Sequence, residues 1–279
     1  MPAPRVVQTV RSKATLRVAV LLLVLSAVAI WASSVVVHRK LRREWKHTLH
    51  VAVVVLGPGG VSTEKTDEVR LRLVRLTTLV TREFHRYRPE APLVPAEFVY
   101  VGAVGVEEPP PMAPESDGLI ARAKYAYRLA KYFDDVHKRG EFDMRGFDAR
   151  IYIMTEPAKP SAARFVEGIG TLDGDVGVVQ SQLDLSTLDL TLVAVAHEFL
   201  HCLGATDKYD DDGHSRGPQG LPEPDLKPLY PQRFAEVMVG EVAMSPSSGR
   251  LPATLDEVAV GPVTAREIGW IKGEDGRSP

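Results

Sequence analysis

Between residues 197 and 207 the chain reads His-Glu-Phe-Leu-His-Cys-Leu-Gly-Ala-Thr-Asp. Few short strings constrain a fold as tightly. On an α-helix, side chains four residues apart differ by about 40° around the axis, so His197 and His201 point the same way. That is the geometry two ligands of one zinc ion require. Glu198 emerges beside them, placed to take a proton from a metal-activated water without being a ligand itself. Gly204 tolerates the left-handed backbone that ends a helix and turns the chain back. Three residues on, Asp207 is then available as a third ligand, with a fourth position open as a catalytic site requires.

With eight His in 279 residues, HExxH arises by chance in roughly one such chain in sixty, and requiring Gly204 and Asp207 lowers that by roughly another two hundredfold. A lone helical His is usually a hydrogen-bonded core residue. The Glu between the pair, the Gly and the Asp tip this site toward metal. Asp207 belongs to the acidic run 207–212, so Asp210, or the distant Glu236, offers another carboxylate; the spacing ranks Asp207 first. The same run is a weak candidate for Ca2+, because hard cations favour clustered carboxylates, but it lacks EF-hand spacing and reads better as a solvated turn. Tyr209 is a candidate oxyanion or cleft residue, packing against the loop being the plainer reading. Cys202, about 140° around the helix from His197, reads as a buried core thiol. As the single cysteine of the chain, it excludes an intramolecular disulfide and a Cys-rich zinc module.

At these residues the chain resembles the metzincin clan of zinc metallopeptidases, specifically the snapalysin-like and immune-inhibitor-A-like variants with Asp after HExxHxxGxx. The resemblance implies one catalytic Zn2+ held by His197, His201 and Asp207, with Glu198 as general base. It also implies a methionine turn beneath the metal, for which Met238 is the first candidate and Met244 the second; plain core packing is the alternative for either. The likeness is close over residues 188–210, extends in topology from His50 onward, and fades in the Pro-rich stretch after Asp212.

A second feature lies at the amino end. Val18 to Val37 is a run of twenty residues without a charge, about what a helix needs to cross a bilayer core. It is bracketed by Arg11, Lys13 and Arg17 before it and Arg39, Lys40, Arg42 and Arg43 after it. The expectation is a single-pass transmembrane helix or uncleaved signal anchor. Ala27-Val28-Ala29 also offers a signal-peptidase pattern, but the apolar run continues past it. Basic residues at both ends nearly cancel the positive-inside rule, so orientation is open, an extracytoplasmic domain being favoured.

The expected organisation is a basic N-terminal segment (1–17), the span (18–37), a basic juxtamembrane linker (38–47), a metallopeptidase-like domain (48–273) and a tail (274–279). Strands are expected at 50–56, 97–104, 150–154 and 175–180. Helices are expected at 66–86, 117–138 and 188–203, the last capped by Ser186 or Thr187 with Asp189 in its first turn. This order suggests an α+β fold, α/β-like in its N-terminal part, with a mixed twisted sheet and the HExxH helix as its active-site helix. Residues 107–115 read as a proline-rich loop, and 213–231, rich in Pro and Gly, as a long loop forming a wall or lid of the cleft. Residues 253–270 read as a turn at Gly261-Pro262 followed by a short helix begun by Thr264, with Glu267 in a capping box.

The expected function is membrane-anchored hydrolysis of a polypeptide substrate. A non-catalytic membrane-tethered binding domain and a zinc hydrolase of a non-peptide amide are the alternatives. A net charge of -2 argues against a nucleic-acid partner, and nothing in the string determines oligomeric state.

Overall fold

The computed structural model describes residues 6–112, 114, 118–155, 167–168, 174–210 and 212–272, without side chains at 6–15, 27, 29–32, 34, 35, 38, 39, 119, 167 and 168. The expected tail at 274–279 lies outside the described residues. Two compact units divide at residue 42, the first being Met1–Leu41 and the second Arg42–Pro279.

Helix α1 (Val6–Arg43) runs unbroken for 38 residues. In its apolar part the described side chains are exposed, among them Leu21, Leu23 and Leu25. Among the described residues, no helix is long and apolar enough to cross a membrane, so the expected span at 18–37 finds no support in the fold.

The second unit is a three-layer mixed α/β fold. Strand β1 (Leu49–Gly57) is buried along nearly its whole length, as its continuous Val-rich run predicts for a strand covered on both faces. It lies between β2 (Ala96–Gly105) and β3 (Ala149–Thr155), parallel to both. Beyond β3 come β5 (Val176–Ser181), also parallel, and then β4 (Glu167–Gly168), which pairs antiparallel at the edge. The order is β2-β1-β3-β5-β4, a parallel sheet with one antiparallel edge. Helices α2 (Thr63–Tyr87) and α4 (Leu188–Cys202) cover one face, joined to Val51, Val53 and Val55 in the larger core. Helix α3 (Leu119–Gly140) covers the other, where Phe133 and Val136 meet Ala52, Val54, Leu56 and Tyr152. The alternation of strand side chains thus feeds two cores.

Several expected boundaries shift. Helix α2 begins at Thr63, three residues ahead of the expected Thr66, whose hydroxyl bonds back to the Thr63 carbonyl inside the first turn. Helix α3 starts at Leu119, and Asp117 lies outside the described residues. Its end passes through Gly140, where any Cβ would stand 2.4 Å from the folded-back Phe142 ring. For α4, Thr187 occupies the N-cap position without a side-chain cap bond, because its hydroxyl donates instead to the Asp184 carbonyl. Asp189, in the first turn, accepts from Arg72 at 2.9 Å and from the Leu255 amide at 3.3 Å, tying α4 to α2.

The expected linker at 38–47 is also corrected. Arg42 is buried and donates to the carbonyls of Asp148, Gly174 and Cys202. Trp45 packs against Phe84 and Trp270 and gives its indole N–H to the Ile268 carbonyl. The compact unit therefore begins at Arg42, ahead of the expected boundary at 48.

After α4 the described residues between 203 and 234 are irregular, the expected loop at 213–231 among them, apart from an isolated bridge between Tyr209 and Ser215. Then follow β6 (Ala235–Glu236), the hairpin β7 (Val242–Ser245) and β8 (Ser248–Arg250), a single 3-10 turn (Leu255–Glu257), β9 (Val258–Ala259) parallel to β6, and α5 (Pro262–Glu267). Helix α5 starts at Pro262 with Gly261 as N-cap, not at Thr264, since proline's fixed φ suits the first helical position. Glu267 is its last residue and so forms no capping box.

Candidate metal centre

Helix α4 presents His197, Glu198 and His201 together, with one donor atom from each within 4.8 Å of the others. Among the described residues it is the one such group of His, Cys, Asp or Glu side chains. The two imidazoles meet edge-on with centroids 4.5 Å apart. Past Cys202 the Ala205 amide bonds to the Leu200 carbonyl and Gly204 takes φ +90°, the left-handed turn its position predicts.

That turn delivers Asp207. Its Oδ1 lies 3.2 Å from Nε2 of His197 and 3.2 Å from Nε2 of His201. Each ring is oriented through its other nitrogen: Nδ1 of His197 donates to the Val237 carbonyl at 3.1 Å, and Nδ1 of His201 to the Ala205 carbonyl at 2.8 Å. A carbonyl can only accept, so Nδ1 carries the proton and a neutral ring turns a bare Nε2 toward Asp207. Three acceptors then converge on one point. Two ligands of a tetrahedral zinc about 2.0–2.1 Å from the ion stand about 3.3 Å apart, which the observed spacing matches. With both rings neutral, Asp207 Oδ1 and Glu198 Oε2 are buried without a hydrogen-bond donor, an arrangement that costs free energy unless a cation or proton fills it. The donor set and its geometry fit zinc.

Electrostatics agree. Burial pushes the Glu198 carboxyl up, against the pull of the two imidazoles. For His201 burial opposes the charged form, but the Asp207 carboxylate and the Ala205 carbonyl outweigh it and leave the imidazole raised. Burial likewise opposes the charged form of Asp207, but the two imidazoles outweigh it and hold the carboxyl well below its usual range. Glu198 fits under the sheet because β5 has Gly177 opposite it: a Cβ there would stand 2.7 Å from the Glu198 Cβ.

The rival third carboxylates are otherwise engaged. Asp210 Oδ1 accepts the amides of Asp212 and His214 within its own loop, and Asp211 lies outside the described residues. Glu236 is fully buried against Thr264 and Gly261. Tyr209 is partly exposed, and its phenol is pushed up by burial and by interaction with Asp207. Cys202 is buried and its thiol pushed up to about 12 by burial, so it remains a core thiol. Met238 is buried beside the site, in a segment where the Val237 carbonyl holds His197 and the Met238 carbonyl accepts the Lys208 amide. Met244 is 41% exposed on β7.

Sequence reasoning missed Gly177, Lys208, Glu267 and the orienting carbonyls. A glycine inside an otherwise β-branched strand was a usable signal for close approach; backbone carbonyls leave none. A surface concavity of about 570 Å³ lined by Asp134, His137, Arg145 and Arg150 lies on the α3 side of the sheet and takes no part in this centre. No protein-family profile and no curated protein matches the chain.

Proposed function

We propose that the chain is a zinc-dependent peptidase of metzincin-like type. The observation that carries this is the convergence of His197 Nε2, His201 Nε2 and Asp207 Oδ1 beside an unpartnered, buried Glu198 Oε2. When bound, zinc supplies Lewis acidity toward an amide carbonyl and toward water. The Val237 and Ala205 carbonyls keep both rings in the liganding tautomer. Glu198 Oε2 accepts a proton as the water oxygen bonds to the carbonyl carbon, then delivers it to the departing nitrogen as the C–N bond breaks. Its raised affinity for protons, due to burial, suits both halves of that shuttle. Met238 fits the methionine turn by its burial and by its segment's hold on His197.

The test uses the full chain. Wild type should retain about one zinc per chain and cleave peptides from a mixed library. Glu198→Gln should keep the zinc and lose roughly 10²–10⁴-fold in kcat. Wild type loaded with zinc that hydrolyses no peptide would overturn the peptidase reading and leave the binding-domain and non-peptide-amide readings. Membrane attachment is a separate proposal resting on the sequence run 18–37, with flotation of the full chain on vesicles as its check.

A further inference from the structure

We infer that Lys208 and Glu267 form a clamp that positions Asp207, so that the α5 helix end, far along the chain, sets metal affinity. This rests on the reading of Asp207 as third ligand.

Lys208 has a side chain only 4% exposed. Its Nζ donates to the Thr206 carbonyl at 2.6 Å, the Thr206 hydroxyl at 2.7 Å and Glu267 Oε2 at 2.7 Å. Glu267 in turn accepts the Thr206 amide at 3.1 Å and the Thr206 hydroxyl at 3.0 Å. The Lys208 backbone is held on both sides: its amide donates to the Met238 carbonyl and its carbonyl accepts the Arg216 amide. Gly220 packs so closely on that carbonyl that a Cβ would stand 2.5 Å away. Both neighbours of Asp207 are therefore fixed, and Asp207 itself follows the helix through the turn at Gly204.

A buried ammonium is expensive unless fully paired, and replacing such a pair by apolar side chains is often neutral for stability. Stability alone therefore does not call for a charged residue here. Orientation of the ligand does: the pair imposes directional bonds on Thr206 from two sides, which an apolar contact cannot.

The experiment measures zinc affinity by chelator competition, the Co2+ d–d spectrum, and thermal unfolding of the metal-free full chain. It compares wild type, Glu267→Gln, Lys208→Met, and the double variant Lys208→Met with Glu267→Leu. Glu267 is partly exposed, so its amide variant is the mildest. The clamp predicts a loss of zinc affinity of roughly 10–100-fold in each variant, the size expected for groups that orient metal ligands, with an altered d–d band. In the double variant stability should recover while affinity stays low. Unchanged affinity in Glu267→Gln, or affinity recovering together with stability in the double variant, overturns the clamp alone. Wild type that binds neither zinc nor cobalt overturns the metal site and the clamp together.

Discussion

Nε2 of His201 lies 3.2 Å from Oδ1 of Asp207, while Nδ1 of the same ring is committed to the Ala205 carbonyl at 2.8 Å. Without a metal, the short contact is stabilised by a proton, which is why the imidazole is raised and the carboxyl lowered despite burial opposing both charges. Under the proposed function, zinc would replace that proton and be held by the same atoms. Asp207→Ala should therefore cost no less than ~100-fold in zinc affinity, since even the outer partners of metal ligands are worth ~10–100-fold. Competition with a chromophoric chelator measures this. Affinity equal to wild type would remove Asp207 from the ligand set.

Gly177 faces Glu198 across the contact between β5 and α4. A Cβ there would meet the Glu198 Cβ at 2.7 Å and Ile151 Cδ1 at 2.9 Å, and neither has room to retreat in a packed core. Gly177→Ala should destabilise by ~1–3 kcal/mol and lower peptidase kcat more than it changes KM, because the displaced group is the proposed base. Unfolding and steady-state kinetics on one preparation check both; an alanine variant with unchanged kcat refutes the second half.

Trp45 lies ahead of the boundary the sequence suggests, yet it is buried between Phe84 and Trp270, with centroids 5.6 and 5.8 Å away. Trp45→Ala should cost about 3–5 kcal/mol, the range for large aromatic truncations in a core. Chemical denaturation should show this as a lowered midpoint; a change under 1 kcal/mol, roughly the noise of a surface substitution, would return residues 42–47 to the status of a linker.

What could be read in advance was local and periodic. The spacing of His197, Glu198 and His201 follows from helix geometry, and the unbroken Val run of β1 from burial on both faces. The glycine at 204 predicted the reversal that brings Asp207 to the rings. What escaped depended on partners distant in sequence. Glu267 carries a helix-capping spacing after Thr264, but Pro262 starts the helix earlier, so the carboxylate reaches Lys208 and Thr206 instead. Arg42 looks like one of several juxtamembrane cations, and only the fold brings it to the carbonyl of Cys202 at the end of α4, where a cation is favoured by the helix dipole. Ring orientation by the Val237 carbonyl has no side-chain signature.

Glu236 gives the stability of this unit a pH dependence. It is fully buried, hydrogen-bonded to the Gly261 amide and the Thr264 hydroxyl, and burial pushes its carboxyl up from 4.5 to about 7. The folded state thus holds this proton more tightly than the unfolded chain. Its stabilising contribution is fully present below pH 4.5 and is lost as pH rises through about 7, amounting to at most ~3 kcal/mol. Glu236→Gln cannot ionise, so its stability should lack this component across the same window, although the amide will cost something at every pH by opposing the Gly261 N–H. Denaturant unfolding of the metal-free wild type and variant, in steps from pH 4.5 to 8, isolates the slope from that constant offset. Parallel curves for the two proteins would show that Glu236 is ionised throughout and that its hydrogen bonds, not the proton, compensate its burial.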